Sequence, residues 1–417
     1  MEKIELNNDK LRNTTVSKLD GDPKIGWLRN KNDLLLKTYG WIVKNAIGNI
    51  LLLHGFGTHI QSDFMRKKLK TPNKNGDVVV DNNNYYIYKD SWIEKYNQNG
   101  YSVYAIDLQG HGGSQSLGKL GGTFNCFDDL VDDVIQYINQ IQDESSSDNQ
   151  NGDESHNTVT TKKKKLPMYI VGYSMGANIA LRILQLLKKE KEDKIKARSS
   201  KNHKNSNAML NNSTNINDIG NDMNNSNNYS SNNSCASGNH EGRYNYLDKL
   251  NIKGCVSLSG MMRFKTIWNA GHNSFKYFYL PILSFLSYVL PQIKIPSEPR
   301  YKKSGYFANI CKHYIFPIIN GTKYKWIYEC VKATVTLSCD INYIPKDIPL
   351  LFVHSKDDSM CSYIGTVLFY NKANVNKKEL HTVDGMNHFT TRKPGNEEIL
   401  KKTIDWISDL RSNGEDE

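Results

Sequence analysis

Apolar positions along this chain fall into two alternating kinds of run. Short continuous blocks occur at Ile50 to Leu53, Tyr101 to Leu108, Met168 to Val171 and Ile348 to His354, with more mixed strand segments at Ile252 to Ser257 and Glu379 to Val383. Blocks of that length, apolar at nearly every position, predict strands buried on both faces, as in a parallel sheet. Between them lie stretches with helical spacing. Asp90 to Tyr96 starts with acidic and capping residues and places Trp92, Ile93 and Tyr96 on one side, which predicts a helix ending near Gly100. Asp128 to Ile141 sets Leu130, Val131, Val134, Ile135 and Ile138 on an inner face. Ala177 to Leu187 and residues 394 to 410 complete the set, the latter with Ile399, Ile404, Trp406, Ile407 and Leu410. Strand and helix in alternation predict an α/β fold, a mostly parallel central sheet flanked by helices.

The rhythm breaks in four places. Residues 61 to 89 form a long polar connection. Residues 142 to 165 run from acidic and Ser-rich to the block Lys162 to Lys165, and residues 188 to 245 are dominated by Asn, Ser and Lys. Segments with so little to bury do not recover their ordering entropy, so both are expected to be disordered polar inserts. Residues 261 to 340 interrupt the alternation differently. There Phe275 to Leu290 is apolar on nearly every side, so part of it must face something greasy other than the sheet.

With those inserts set aside, the 417 residues reduce to one domain rather than the two or three their number suggests. The net charge of +11 is spread along the chain. Its densest runs, Lys162 to Lys165 and Lys188 to Lys204, lie in the inserts and no nucleic-acid-binding motif accompanies them, so no nucleic-acid partner is expected. Seven cysteines, an odd number without a C-x-x-C pair, fit a reducing compartment. The first residues carry no apolar signal core and no run reaches the ~18 apolar residues of a membrane span. A cytoplasmic protein is expected, with peripheral membrane contact allowed.

The chemistry begins at Val171-Gly172-Tyr173-Ser174-Met175-Gly176, a G-x-S-x-G between a predicted strand and a predicted helix. A serine on so tight a turn projects its hydroxyl clear of the backbone, and small neighbours let the chain turn. The Met175 amide then stands at a helix N-terminus, where it can stabilise an oxyanion. The motif alone is weak; its company strengthens it. The block Ile50 to Leu53 ends in His54-Gly55-Phe56-Gly57, a Gly-rich loop able to offer a second oxyanion donor at Phe56. The block Ile348 to His354 runs into Ser355-Lys356-Asp357-Asp358, carboxylates at the strand end where open α/β sheets hold ligand-facing groups. Past the last block, Asp384 to Asn387 leads to His388. The order is serine, acid, histidine. No His, Cys, Asp or Glu cluster has metal-ligand spacing and no Gly-rich loop carries the Lys-Ser/Thr of a phosphate loop, so neither metal nor cofactor is expected.

These segments, with Asp107 to Ser114 similar to a D-x-x-G-H-G-x-S pattern, resemble the monoacylglycerol lipase and lysophospholipase branch of the α/β-hydrolases. The likeness is closer to the lysophospholipase-like hydrolases of malaria parasites. It covers roughly residues 49 to 186 and 248 to 410. It implies a single α/β-hydrolase domain over 1–417, opening antiparallel strands within 24–48, and a substrate-binding helical cap (lid) at 261–340. It also implies Ser174 as nucleophile, His388 as general base, and the amides of Phe56 and Met175 as the oxyanion hole. By the family's strand-end pattern the acid is Asp358 rather than Asp357. His54 and His111, each before a glycine, are implied to pin loops. One departure is Phe56-Gly57, where relatives often carry a small residue and then an acid. The expected activity is hydrolysis of carboxylic esters of lipids, monoacylglycerol or lysophospholipid, through an acyl-enzyme. A general esterase or thioesterase for small acyl groups is the alternative, and a non-catalytic relative acting as a binding protein is disfavoured because all three triad candidates are present.

Overall fold

The structure, a computed structural model, describes residues 21–67, 86–117, 124–147, 165–210, 250–266, 271–291, 293–295, 322–393 and 395–414. The main strands are β1 (Lys24–Arg29), β2 (Leu35–Trp41), β3 (Gly48–Leu53), β4 (Tyr101–Ile106), β5 (Met168–Tyr173), β6 (Ile252–Leu258), β7 (Leu350–Ser355) and β8 (Lys378–Val383). They form one 8-stranded sheet in the order β1-β2-β4-β3-β5-β6-β7-β8. The strand β2 runs against both β1 and β4. Every other pairing is parallel. The helices are α1 (Ile60–Phe64), α2 (Trp92–Gln98), α3 (Phe127–Ser147), α4 (Met175–Leu210), α5 (Leu280–Val289), α6 (Tyr324–Cys339), α7 (Tyr363–Lys372) and α8 (Asn396–Gly414).

Buried strands explain the continuous apolar blocks. All positions of β3, β5 and β7 are buried, so both faces of each strand need apolar residues. Alternate residues divide between two cores. Leu51 and Leu53 pack with residues of α3 and α4, such as Val134 and Ile183. Ile50 and Leu52 pack on the other face with Trp92 and Tyr96 of α2 and Trp406 of α8. Helix starts follow local chemistry as well. Ser91 accepts the Glu94 amide at 3.2 Å and the Glu94 carboxylate returns to the Asp90 amide at 2.7 Å, a pairing close to a capping box.

Two helices run further than the sequence predicts. The inserts were expected to begin at 142 and 188, yet α3 extends to Ser147 and α4 to Leu210. The polar composition taken for disorder is also that of a solvated helix. Lys and Glu are strong helix formers, and pairs such as Lys188–Glu192 at 3.6 Å and Gln140–Glu144 at 2.8 Å support one turn on the next. The remainder of those inserts, 148–164 and 211–249, lies outside the described residues, as does most of the connection at 61–89.

Between β6 and β7 the chain leaves the sheet, as expected for 261–340, although 267–270, 292 and 296–321 lie outside the described residues. A short turn and a π-helical segment, Phe275–Tyr279, lead into α5. The apolar stretch there divides. Phe275 packs with Val331 and Val335 of α6, whereas Phe278 and Phe285 are 61% and 66% exposed. The helix α6 is tied to α4. Arg182 bonds Asp128 at 3.1 and 3.2 Å and Asp340 at 2.5 Å, Gln185 donates to the Leu337 carbonyl at 2.8 Å, and Lys188 to that of Asn342 at 3.0 Å.

Sheet order fixes where a ligand can sit. From β3 the chain moves to β4 on one side and then returns to place β5 on the other, so the loops after β3 and β5 diverge and leave a crevice between them. The two strands' ends are locked there by glycines. A methyl group on Gly176 would lie 2.3 Å from the Leu53 carbonyl oxygen, and one on Gly172 would lie 2.4 Å from that of Gly176. Both obstacles are backbone. Gly176→Ala should therefore cost about 3 kcal/mol or more by overpacking, read as a lowered urea midpoint; an unchanged midpoint would mean that the helix can shift freely.

Candidate active site

Ser174 occupies the turn between β5 and α4 with φ of +54°, the left-handed region that costs a non-glycine residue of order 1 kcal/mol or more. The surrounding backbone holds it there. Its amide donates to the Leu258 carbonyl at 2.8 Å, and its carbonyl accepts the Met261 amide at 3.0 Å. The side chain therefore points into the crevice, where its Oγ lies 2.8 Å from Nε2 of His388. His388 follows β8 and is itself buried, with Nδ1 2.7 Å from Oδ2 of Asp358. Asp358 follows β7. The three residues expected as nucleophile, base and acid thus form one hydrogen-bonded line. A neutral imidazole in this line carries its proton on Nδ1, donates it toward Asp358, and presents Nε2 as acceptor to the serine hydroxyl.

Asp358 is 1% exposed, yet it is held ionised. Burial opposes its charge, but contacts with His354 and His388 outweigh that and keep its carboxyl well below the usual range. Its Oδ1 accepts the amides of Met360 at 2.7 Å and Cys361 at 2.8 Å. His354 Nε2 lies 3.2 Å from Oδ2, off the line of a hydrogen bond, while its Nδ1 meets Thr366 Oγ1 at 2.9 Å. The neighbouring Asp357 is exposed and faces the other way, accepting the Gly385 amide at 2.8 Å.

The loop after β3 abuts the serine. A methyl on Gly55 would sit 3.3 Å from Ser174 Cβ. The next residue, Phe56, is half-buried, with its ring edge-on to Trp326 of α6 at 4.9 Å between centroids and to His111 at 5.8 Å. Met175 is the first residue of α4, so its amide has no carbonyl one turn earlier to serve it. His54 pins the loop to β4's end. Its Nε2 accepts the Leu108 amide at 2.9 Å, which leaves Nδ1 to donate to the Gly55 carbonyl at 2.7 Å. Burial lowers the pKa of His54 and brings that of His111 down to about 3, so both stay neutral.

Sequence reasoning missed three residues at this site. Asp63, on α1, is fully buried; one carboxylate oxygen accepts the Gly55 amide at 3.0 Å and the Thr58 hydroxyl at 2.5 Å, and the other meets Arg392 at 3.1 Å. Burial resists its charge, but Arg392 and those donors hold its pKa below the usual value. Asp63 and Arg392 stand 329 positions apart, and no local pattern links them. The third is Cys361, whose buried thiol contacts Ser174 and is kept protonated by burial first and by the Asp358 charge second. Among the described residues no three His, Cys, Asp or Glu side chains gather as a metal would require, and no helix is long and apolar enough to cross a membrane.

Comparison with protein families gives a match to the serine aminopeptidase S33 family over residues 83–198 and 243–394, more than half the chain. The chain belongs to that family. The curated proteins contain no match to it. Among solved structures, this family member is similar to a soluble variant of monoglyceride lipase from Saccharomyces cerevisiae bound to a substrate analog. That match has 14% identity and a TM-score of 0.58 and covers 96% of each chain. It is also similar to monoacylglycerol lipase from Paleococcus ferrophilus, at 15% identity and a TM-score of 0.52, over 90% of this chain and 98% of that one. A thermostable carboxyl esterase from Bacillus coagulans, in complex with glycerol, matches at 13% identity and a TM-score of 0.56, over 94% and 99%. At such identities the likeness is one of fold, the α/β-hydrolase fold.

The Asp63–Arg392 pair yields a test with a defined sign. A carboxyl whose folded pKa is depressed contributes stability above its unfolded value of about 4 and loses it as pH falls below that. Asp63→Asn should thus cost about 3 kcal/mol at pH 7 by leaving Arg392 without its anion. Its stability should also fall less steeply than that of the parent below pH 4, which urea unfolding at pH 7 and pH 3 would measure. Parallel losses at both pH values would remove the pair from this role.

Proposed function

We propose that the S33-family fold here carries a serine hydrolase that cleaves carboxylic esters of lipids, monoacylglycerol or lysophospholipid. The observation that carries this reading is the unbroken line Ser174–His388–Asp358, at 2.8 and 2.7 Å, at the mouth of the β3/β5 crevice. His388 accepts the Ser174 proton as the hydroxyl attacks the ester carbonyl, since a free serine is too weak a nucleophile near neutral pH. The amides of Phe56 and Met175 then receive the oxyanion. Asp358, bound by two amides that keep it in place, steadies the imidazolium without taking its proton. His388 next protonates the departing alcohol, leaving an acyl group on Ser174 that a water, activated in turn by His388, releases.

A lipid substrate is supported by the half-buried ring of Phe56, next to the Gly55 that abuts the serine, and by the apolar surface of the cap. The motif likeness to the lysophospholipase-like hydrolases of malaria parasites supports the lysophospholipid end of that range. Odd cysteine number and that apolar surface favour action in the cytoplasm with peripheral membrane contact. The family's own description favours a second reading, cleavage of N-terminal amino acids from peptides. Purified protein assayed on monoacylglycerols, lysophosphatidylcholines, short p-nitrophenyl esters and aminoacyl p-nitroanilides separates these. Turnover should favour the long-chain lipids; preference for the anilides would move the protein to peptidase chemistry, and preference for acetyl esters to general esterase chemistry.

Ser174→Ala should abolish both hydrolysis and labelling by a fluorophosphonate. Labelling that persisted would place the nucleophile elsewhere. Asp358→Asn should lower kcat by roughly 10³–10⁴, because His388 would lose the partner that sets its tautomer. Asp357→Asn, removing only a contact to the Gly385 amide, should cost less than about tenfold; the reverse ranking would make Asp357 the orienting acid.

A further inference from the structure

The strand β7 is apolar from Leu350 through Val353 and then carries His354, a polar residue buried completely. The proposed chemistry makes no use of it. Burying a polar side chain is costly unless its atoms find partners, and His354 has one on each side. Its Nδ1 lies 2.9 Å from Oγ1 of Thr366 on α7, and its Nε2 lies 3.2 Å from Oδ2 of Asp358. That carboxylate oxygen is the one His388 Nδ1 meets at 2.7 Å. Two imidazoles therefore converge on a single oxygen, while the other, Oδ1, is occupied by the amides of Met360 and Cys361.

The hydrogens around that oxygen can be placed. Asp358 is held ionised, so it only accepts. A bare Nε2 beside it would set a lone pair against a charge; Nε2 therefore carries the hydrogen, and Nδ1 accepts from the Thr366 hydroxyl. The Nε2 contact stands off the line of a full hydrogen bond. It attracts the carboxylate charge without displacing His388, whose contact is the shorter. Charge drawn toward His354 is charge that no longer supports an imidazolium at His388. The other titratable groups facing the pair are accounted for. Cys361 and Tyr173 are kept protonated, in each case by burial first. Tyr363 stands edge-on to His354 at 6.1 Å between ring centroids and meets Thr382 Oγ1 at 2.9 Å, and Lys265 donates to the backbone carbonyl of Asp358 at 2.9 Å.

We infer that His354 is a positioning residue for the Ser174–His388–Asp358 line: its Nε2 hydrogen, set by Thr366, orients the Asp358 carboxylate and divides its charge between two imidazoles. The inference rests on the serine hydrolase reading above and goes beyond it, because a triad needs only one histidine on its acid. His354 touches neither the serine nor the reacting carbonyl. It acts on the reaction through Asp358 alone.

The rate of fluorophosphonate labelling of the full chain, followed from about pH 5 to about pH 9, reads the Ser174–His388 pair whichever ester is cleaved. In the parent the rate should rise with pH along a single limb. The side chain of His354→Asn ends where Nδ1 stood, so it keeps Thr366 but falls short of Asp358. Its limb should move upward by roughly one pH unit, since the whole carboxylate charge then favours a protonated His388. His354→Gln reaches the place of Nε2 with an N–H and should restore the parent limb. A role in packing alone would lower the rate at every pH and leave the limb where it was. NMR of the parent carrying nitrogen-labelled histidine gives a second reading, which decides the matter if His354→Asn fails to fold: His354 should hold a hydrogen on Nε2 and a bare Nδ1. A parent that does not label removes the hydrolase reading and this inference with it. In a parent that labels, an unmoved limb in His354→Asn, a limb displaced equally in His354→Gln, or a His354 with its hydrogen on Nδ1 and Nε2 bare overturns this inference and leaves the hydrolase reading standing.

Discussion

The start of α4 lies against the end of β3 with no space for even a methyl group between them: Gly176 meets the Leu53 carbonyl, and Gly172 meets Gly176. This close approach sets the geometry of everything at the top of the sheet. Because α4 begins immediately after β5, the intervening residue must reverse the chain in one step, and Ser174 takes the left-handed conformation that does so. The same step leaves the Met175 amide at the start of α4, and the loop after β3 abuts the serine at Gly55. A serine on a strained turn and a free helix-start amide next to it come from a single packing constraint rather than from separate devices.

The other half of the site arrives from distant chain. His388 and Asp358 follow the last two strands of the sheet, and their loops have no backbone pairing with the loop after β3. Asp63 and Arg392 supply the missing connection. One carboxylate holds the Gly55 amide on one oxygen and the guanidinium of the histidine loop on the other. In a buried setting such a pair is retained only when each charge is satisfied, and here Thr58 takes the remaining position on the carboxylate. The spacing between the proposed base and oxyanion donors is thereby tied to one ion pair.

Much of this architecture was legible from the chain alone, for a clear reason. Strands buried on both faces must be apolar throughout, so β3, β5 and β7 announce themselves, and the small residues around Ser174 mark a turn that few other structures demand. Short-range signals fail where the physics is not local. Nothing near Asp63 distinguishes it from a surface acid until Arg392 folds against it. The ends of α3 and α4 were misjudged because a run rich in Lys, Glu and Asn has the same composition whether helical or not. The direction of the cap's apolar residues was equally hidden: Phe275 turns inward and Phe278 outward, and only the presence of α6 decides which.

The row of Arg182, Gln185 and Lys188 along α4 gives the cap an unequal mechanical footing. Through it α6 is bolted to the same helix whose first turn carries the serine, and Trp326, at the beginning of α6, rests on Phe56. Phe56, next to the Gly55 that abuts Ser174, is therefore backed by a helix fixed to α4. The cap is thus joined to the core in series: α5 packs on α6 through Leu280 and Leu283 beside Phe275, Val331 and Val335, and α6 in turn is tied by polar contacts to the helix that begins beside Ser174.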